Sequence, residues 1–289
     1  MIATKELYKN LQPFLNCKDY TVSGEEYSVK KNSEYGFLVT TPVPKELENY
    51  YKSDDYISHT DSKKSLLDKV YFLVKNYTLK KKLSLLNSFK SEEKTVLDIG
   101  AGTGDFLTVC KNNNWKIFGV EPSSDARKIA AKKNINLKET IATFKKQEFD
   151  VVTLWHVLEH VENLQEYILS LKELLKPNGT LIIAVPNYNS YDANYYKEFW
   201  AAFDVPRHLW HFSQESIKKL FTKVSMEVVK TLPMKFDSYY VSLLSEKYKL
   251  GFTNPIKAFY IGFRSNLKAK RTSEYSSLIY IIKKKQKLI

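Results

Sequence analysis

The stretch Thr95-Val96-Leu97-Asp98-Ile99-Gly100-Ala101-Gly102-Thr103-Gly104-Asp105-Phe106 decides the fold of this chain. An apolar run with one acid is followed by three glycines at every second position and by a new apolar segment. This order predicts a strand, a tight turn and the start of a helix. Glycine lets a backbone approach a ligand closely, and the first amides of a helix lack partners within the helix. The stretch therefore predicts a loop that binds a nucleoside cofactor.

The acids beside this loop narrow the choice of cofactor. A dinucleotide fingerprint needs a third glycine where the chain has Asp105, and a pyrophosphate is disfavoured by the two carboxylates that flank the loop. The stretch resembles the class I S-adenosylmethionine-dependent methyltransferases, whose cofactor carries an ammonium, a sulfonium and a ribose diol. The alternatives are a nicotinamide or flavin enzyme and a glycine-rich turn without a ligand. The resemblance implies S-adenosyl-L-methionine as cofactor and a binding loop made of Asp98, Gly100, Ala101, Gly102 and Gly104.

A second acid supports the same interpretation. The predicted strand 116–120 ends at Glu121, which lies 121 − 100 = 21 residues after Gly100 and close to the ~20 expected for a carboxylate that binds a ribose diol. One carboxylate can accept hydrogen bonds from both hydroxyls. Glu121 and the adjoining Pro122 are therefore candidate cofactor ligands, and the alternative for Glu121 is an ordinary acid at a helix start.

The predicted strand 149–154 is followed by Trp155-His156-Val157-Leu158-Glu159-His160-Val161. In open α/β sheets ligands bind at the carboxyl ends of strands. The resemblance implies that Trp155 and His156 face the methionine part of the cofactor. The spacing from His156 to His160 also fits a metal site, but the order H-E-x-x-H is missing, and we expect no metal here.

From residue 94 onward strands and helices alternate, which is typical of a doubly wound α/β sheet. The resemblance implies a seven-stranded, Rossmann-like methyltransferase sheet whose last strand is antiparallel. We expect a methyltransferase domain at 56–289, with insertions at 186–212 and 237–270, the latter forming two helices. The predicted strands are 94–99, 116–120, 135–139, 149–154, 180–185, 226–232 and 275–282.

Residues 1–55 are expected to form a separate small β unit. Two β-prone runs, 26–31 and 35–41, predict a hairpin. The segment resembles a degraded zinc knuckle of some bacterial methyltransferases, in which Asn32 and Tyr35 stand in place of the second cysteine pair. Cys17 is the one possible ligand left and tetrahedral zinc needs four, so we expect no zinc.

Two segments are candidates for the acceptor side. Tyr56 and His59 precede a predicted long helix, and the resemblance implies a lid over the cofactor; surface aromatics packed on the neighbouring domain are the alternative. Arg207 is a candidate ligand for an anionic acceptor, or a partner of Asp204 that fixes the loop. His208 and His160 are candidate catalytic bases, because an imidazole accepts a proton near neutral pH.

Composition limits the remaining choices. The 289 residues are 43% hydrophobic, no apolar run approaches the ~18 residues that span a membrane, and the first thirty residues lack a signal-peptide core. With two cysteines, these features predict a cytoplasmic protein.

The net charge of +13 is compatible with nucleic acid, but lysine runs such as 80–82 are typical of a solvated face. We expect a small-molecule acceptor with an oxygen nucleophile. A nucleic-acid or protein methyltransferase and a non-catalytic S-adenosylmethionine-binding module are the alternatives. The sequence leaves the oligomeric state open.

Overall fold

A computed structural model of the chain describes residues 4–51, 66–89, 91 and 93–285, with the backbone alone for 66–71. The predicted lid residues Tyr56 and His59 lie outside the described residues. No helix in the described part of the chain has both the length and the apolar character needed to cross a bilayer.

From residue 94 onward the predicted strands are present except for 135–139, and the structure adds elements that the sequence did not predict, among them β1 (Leu11–Lys18) and β8 (Trp210–His211). The α-helices are α1 Thr4–Leu7, α2 Leu66–Asn87, α3 Asp105–Lys111, α4 Ser124–Lys132, α5 Leu164–Leu174, α6 Tyr191–Tyr196, α7 Gln214–Lys223, α8 Asp237–Leu250 and α9 Pro255–Thr272. The strands are β1 Leu11–Lys18, β2 Glu26–Asn32, β3 Leu38–Thr41, β4 Thr95–Ile99, β5 Lys116–Val120, β6 Phe149–Trp155, β7 Leu175–Pro186, β8 Trp210–His211, β9 Met226–Met234 and β10 Ser277–Lys284. Short 3-10 helices lie at Leu47–Tyr51, Ile141–Thr143, Leu158–His160, Lys197–Phe199 and Ala201–Phe203.

The larger sheet has six strands among the described residues, in the order β5-β4-β6-β7-β10-β9. Strand β4 pairs in parallel with both β5 and β6, as expected for a doubly wound fold. The predicted strand 135–139 contributes one bridge, between Val120 and Lys138, and forms no strand. Apart from Ile135 this segment is mostly exposed, so it adds little apolar surface to the sheet edge. The expected count of seven is therefore not reached.

The chain divides into two compact units, which we describe separately. The first, the glycine-loop unit, comprises 60–157, 169–183 and 281–289. Every residue of β4 is buried, which is typical of a parallel strand with both faces covered. Helix α3 follows β4 directly after the three glycines, and it buries Phe106, Leu107 and Cys110.

The second, the histidine unit, comprises 1–59, 158–168 and 184–280. It contains an antiparallel sheet of order β1-β2-β3-β8. The predicted hairpin is present as β2 and β3, and Leu38 of β3 pairs with His211 of β8. Strands β1, β2 and β3 of the expected unit at 1–55 therefore share their sheet with β8 of the first insertion, within one compact unit. The aromatic residues of that insertion, Tyr196, Trp200 and Phe203 among them, build the core of this unit.

Side-chain hydrogen bonds shape the two turns of the N-terminal sheet. The Asn32 amide donates to the carbonyls of Leu7 and Lys9 at 3.0 and 3.2 Å, and its oxygen accepts from the Tyr35 amide at 2.8 Å. The Asp19 carboxylate accepts from the Ser23 amide at 2.8 Å. Burial raises the pKa of the Cys17 thiol, which is therefore a neutral thiol in β1.

Candidate functional site

The three glycines of the loop after β4 all have positive φ, which side chains rarely adopt. A Cβ at Gly100 would overlap a methyl group of Val157, and one at Gly104 would lie 3.2 Å from Ala130 and Ile135. A Cβ at Gly102 would meet nothing within 4 Å. The outer two glycines therefore serve close packing, whereas Gly102 borders open space.

Glu121 lies directly beside this loop. The Gly102 amide donates to its Oε2 at 2.8 Å, and the Ser123 amide donates to its Oε1 at 2.9 Å. The amides of Gly100 and Ala101 both donate to the carbonyl of Val120, the last residue of β5. The ends of β4 and β5 are thereby joined, which brings the predicted Glu121 to the glycine loop. Arg127 fixes the following residues by donating to the carbonyls of Glu121 and Pro122 at 2.7 and 2.6 Å.

Asp98 is buried in β4 below the loop. Its carboxylate accepts a hydrogen bond from the Thr153 hydroxyl of β6 at 2.6 Å. Burial raises the pKa of Asp98 to about 7, and the nearby Lys82 opposes that shift. Asp98 therefore changes charge in the neutral range, where a bound cation would favour its ionised form.

Trp155 ends β6, and His156 follows it with a φ of +58°, which is uncommon outside glycine. The Lys82 ammonium of α2 lies 4.1 Å from the centre of a Trp155 ring, within the range of a cation–π contact. Phe106 packs edge-on against Trp155 at 5.7 Å between ring centres. The structure thus brings Trp155 together with the first residues of α3.

Asp105, which replaces the third glycine of a dinucleotide loop, has a structural role of its own. Its carboxylate oxygens lie 2.6 Å from the Lys133 ammonium and 2.7 Å from the Lys75 ammonium. Burial opposes ionisation, but the two lysines hold the pKa of Asp105 below its usual range. A carboxylate at the start of α3 also complements the helix dipole.

In the histidine unit, Arg207 is buried and bound by protein acceptors. Its Nε donates to Asp204 Oδ2 at 3.0 Å, its Nη2 donates to Asp204 Oδ1, and its Nη1 donates to the Tyr50 carbonyl at 3.3 Å. Asp19 lies 3.5 Å from the same guanidinium. The structure therefore contains the Asp204–Arg207 pair that the sequence offered as the alternative to an acceptor-binding arginine, and three of the guanidinium's hydrogen bonds are already made.

The two candidate bases, His208 and His160, are stacked edge to face with ring centres 4.6 Å apart. His208 Nδ1 lies 2.9 Å from the Ala202 carbonyl, and His160 Nδ1 lies 3.0 Å from the Arg207 carbonyl. A carbonyl only accepts, so each neutral ring carries its proton on Nδ1 and presents Nε2 as the basic nitrogen. His208 Nε2 is 3.9 Å from Asp204 Oδ2.

Burial weakens two of the histidines of this unit as bases. Burial, together with the adjacent His208, lowers the pKa of His160 to about 4. Such an imidazole stays neutral at pH 7 but is a weak base. The neighbouring His211 is also held neutral, because burial places its pKa well below the usual value.

Glu159, His160 and His208 bring one possible ligand atom each within 4.8 Å of one another. This set differs from the His156 and His160 pair that the sequence suggested for a metal. The His160 Nδ1 atom is also within 3.1 Å of the Tyr51 hydroxyl, so protein groups already hold part of the set.

Sequence reasoning missed several of these residues. Lys82 belongs to a lysine run that we assigned to a solvated face, yet it covers Trp155. Thr153, Tyr51 and Asp19 lie far along the chain from the groups they contact, and no local pattern marks them. Asp204, in contrast, was named from the sequence as a possible partner of Arg207, which lies three residues further on.

Comparison with known families agrees with this geometry. A family model described as a methyltransferase domain matches residues 71–231, which is more than half of the chain. The chain belongs to this family, and its classification as a class I S-adenosylmethionine-dependent methyltransferase, predicted from the glycine loop, is confirmed.

Individual relatives cover parts of the chain. A ubiquinone biosynthesis O-methyltransferase from Rickettsia bellii is 30% identical over 150 residues, which are 49% of this chain and 62% of that relative. The chain thus matches less than two thirds of the relative's length.

Solved structures of similar fold include geranyl diphosphate C-methyltransferase from Streptomyces coelicolor A3(2), with a TM-score of 0.57, 12% identity and coverage of 84% of this chain and 100% of the other. A SAM-dependent methyltransferase from Archaeoglobus fulgidus has a TM-score of 0.50 and 20% identity, and the match covers 74% of this chain and 99% of the other. These likenesses confirm the α/β methyltransferase fold.

Proposed function

We propose that the protein transfers the methyl group of S-adenosyl-L-methionine to an oxygen atom of a small molecule. The observation that carries the proposal is the position of Glu121 at the glycine loop, 2.8 Å from the Gly102 amide, beside the open space at Gly102. A carboxylate held there is suited to the two hydroxyls of a ribose. Asp98, Ala101, Pro122, Trp155 and His156 complete the proposed cofactor site.

The reaction is a direct displacement. The acceptor oxygen attacks the methyl carbon, the bond between that carbon and sulfur breaks, and the sulfonium becomes a neutral thioether. The hydroxyl proton of the acceptor passes to a base. Because the sulfonium is already a strong electrophile, the protein mainly aligns the reactants and excludes water.

We assign the base to His208 in preference to His160. Both rings present Nε2. Asp204 lies 3.9 Å from His208 Nε2 and would stabilise the imidazolium that forms there, whereas the low pKa of His160 makes that ring a poor proton acceptor at pH 7. We assign Arg207 to the positioning of this loop, because its hydrogen bonds to Asp204 and Tyr50 occupy the guanidinium.

The small-molecule acceptor is supported by the relative named as a ubiquinone biosynthesis O-methyltransferase. Nucleic acid remains the main alternative because of the charge of +13. We propose a cytoplasmic location on the ground of the cysteine content.

The test is methyl transfer from labelled S-adenosylmethionine by the full chain, offered a panel of catechols, total RNA and unfractionated protein in separate reactions. We expect label in a hydroxyl of a small aromatic. Label confined to RNA, with binding that falls steeply as salt is raised, would favour a polyanion acceptor. Tight binding of S-adenosylhomocysteine without transfer to any of these would instead favour a binding module.

A further inference from the structure

Helix α9 of the histidine unit presents most of its large apolar side chains to solvent, whereas four of the five residues that it buries are small. The buried residues of α9 are Ala258, Ile261, Gly262, Ser265 and Ala269. The opposite face carries residues that recur at intervals of three and four and are 47% to 85% exposed: Ile256, Phe259, Tyr260, Phe263 and Leu267. A helix that only closes a core has the reverse arrangement.

Close packing explains the small residues. A Cβ at Gly262 would lie 2.8 Å from the Tyr239 ring and 3.0 Å from the Ser238 carbonyl of α8. The Ser238 hydroxyl also donates to the Gly262 carbonyl at 3.1 Å. Stability of the α8–α9 pair therefore accounts for the inner face, and it gives no reason for the apolar outer face. Phe252, in the connection between the two helices, is 62% exposed and extends the same kind of surface.

The charged side chains of the segment that carries this outer face have one sign. Residues 247–272 contain seven basic side chains and no acidic one. Three of them, Lys268, Lys270 and Arg271, are exposed at the end of α9. The Lys268 ammonium lies 4.1 Å from the centre of the Tyr191 ring, which keeps this charge beside aromatic surface. An apolar stripe flanked by lysine and arginine is typical of a helix that lies in the interface of a bilayer.

We propose that the outer face of α9, defined by Ile256, Phe259, Tyr260, Phe263 and Leu267, binds the surface of an anionic lipid bilayer. The apolar stripe enters the boundary between headgroups and acyl chains, and the basic residues pair with anionic headgroups. A second copy of the chain is a poorer occupant, because a two-fold interface that buries α9 would bring its exposed Lys268, Lys270 and Arg271 close to those of the other copy. The helix lies on the bilayer and does not cross it. The proposal is independent of the methyl acceptor.

The test is co-sedimentation of the full chain with vesicles of phosphatidylcholine alone or mixed with phosphatidylglycerol. We expect binding to the anionic vesicles, weakening as salt is raised, and little binding to the neutral ones. The double variant Ile256→Ser, Phe263→Ser should bind anionic vesicles at least tenfold more weakly, since both side chains are exposed and leave the core intact. The double variant Lys270→Gln, Arg271→Gln should lose about fivefold per charge.

The matched control is Phe14→Ser with Leu73→Ser, two exposed apolar residues on β1 and α2. It should bind vesicles as the wild type does, and thermal unfolding should show that all variants fold. Equal binding to both vesicle types, or equal binding by wild type and the α9 variants, would overturn the proposal. A dimer in sedimentation velocity that is lost in Ile256→Ser, Phe263→Ser, without vesicle binding by the wild type, would assign the face to a second copy.

Discussion

The glycine loop and the histidine cluster are built in different ways. The loop is one continuous stretch, 95–106, whose proposed function depends on backbone shape, and Glu121 joins it from the end of the adjacent strand. The cluster draws Asp19, Tyr51, Glu159 and 204–211 from distant parts of the chain, and it depends on side-chain hydrogen bonds. A site made by the backbone leaves a local sequence pattern, whereas a site made by a side-chain network leaves scattered residues.

Burial shifts the pKa values of the two regions in opposite directions, with the same result for charge. In the glycine-loop unit it raises the pKa of Asp98 to about 7, and in the histidine unit it lowers the pKa of His160 to about 4. In both regions the neutral form is favoured. The acid therefore resists ionisation as pH rises, and the imidazole resists protonation as pH falls.

The largest expected effect is the loss of cofactor binding when a side chain is placed at Gly102. A control at a second glycine separates this loss from the effect of backbone strain. Gly102→Val should abolish detectable binding of S-adenosylhomocysteine in calorimetry, because its side chain fills the open space beside Glu121. Gly251→Val is the matched control, since Gly251 also has positive φ and no atom within 4 Å of its Cβ position. Binding by a folded Gly102→Val protein at wild-type affinity would show that the ligand lies elsewhere.

A second expected effect concerns the two histidines. His208→Asn keeps a donor for the Ala202 carbonyl but removes the Nε2 base, so kcat should fall by about 10²–10⁴ with cofactor affinity unchanged. His160→Asn, which keeps a donor for the Arg207 carbonyl, should lose less than about tenfold. If the kcat of His208→Asn recovers above the pKa of the acceptor hydroxyl, where the acceptor is already deprotonated, the variant has lost a base. Equal losses in both variants would contradict the assignment.

The buried acid of the loop unit makes a prediction about stability and pH. The native chain keeps a proton on Asp98 up to about pH 7, whereas the unfolded chain releases it near 3.8. The wild type therefore loses stability from this group as pH rises through that window, by about 1.4 kcal/mol per pH unit. Asp98→Asn should be close to wild type near pH 4 and increasingly more stable up to pH 7 in denaturant titrations.

The pKa shift of His160 has the opposite effect on the pH dependence of the unfolding free energy. Its native pKa is below the unfolded value of 6.5, so its contribution is complete above pH 6.5 and is lost as pH falls toward 4. Subtracting the unfolding free energy of wild type from that of Asp98→Asn at each pH removes the contribution of His160, which both proteins share. A difference that stays constant from pH 4 to 7 would contradict a raised pKa for Asp98.

The smallest expected effect concerns metal. We expect dialysis against a chelator to leave kcat unchanged, because the proposed transfer needs no Lewis acid and protein groups hold His160 and His208 on their Nδ1 atoms. Loss of activity that returns with one added divalent cation would assign Glu159, His160 and His208 to a metal site.

The sequence predicted the elements of the fold well, because periodicity, glycine and proline mark strands, helices and their ends. It predicted α8 and α9 within the second insertion, separated near Gly251. It failed at 135–139, where a single bridge replaces a strand, and at residues 1–55, whose sheet takes β8 from residue 210 onward. Pairing between distant segments depends on tertiary packing, which local patterns do not encode.

The same distinction between local patterns and distant contacts applies to the residues of the candidate site. The position of Glu121 beside the glycine loop could be predicted, because its distance from Gly100 along the chain reflects one strand–helix–strand passage. The position of Lys82 over Trp155 was not predicted, because nothing in the sequence distinguishes Lys82 from the other two lysines of the run 80–82. The sequence left Arg207 between two alternatives, a ligand for an anionic acceptor and a partner of Asp204. The hydrogen bond to Asp204, which only the structure shows, favours the second.

The most direct test of the cofactor site is calorimetric titration of S-adenosylhomocysteine and of its 2′-deoxy analogue into wild type and Glu121→Ala. If Glu121 binds the ribose diol, the variant should lose about 1–3 kcal/mol of binding free energy for S-adenosylhomocysteine and much less for the analogue. Equal affinities of wild type and variant for S-adenosylhomocysteine would contradict the account.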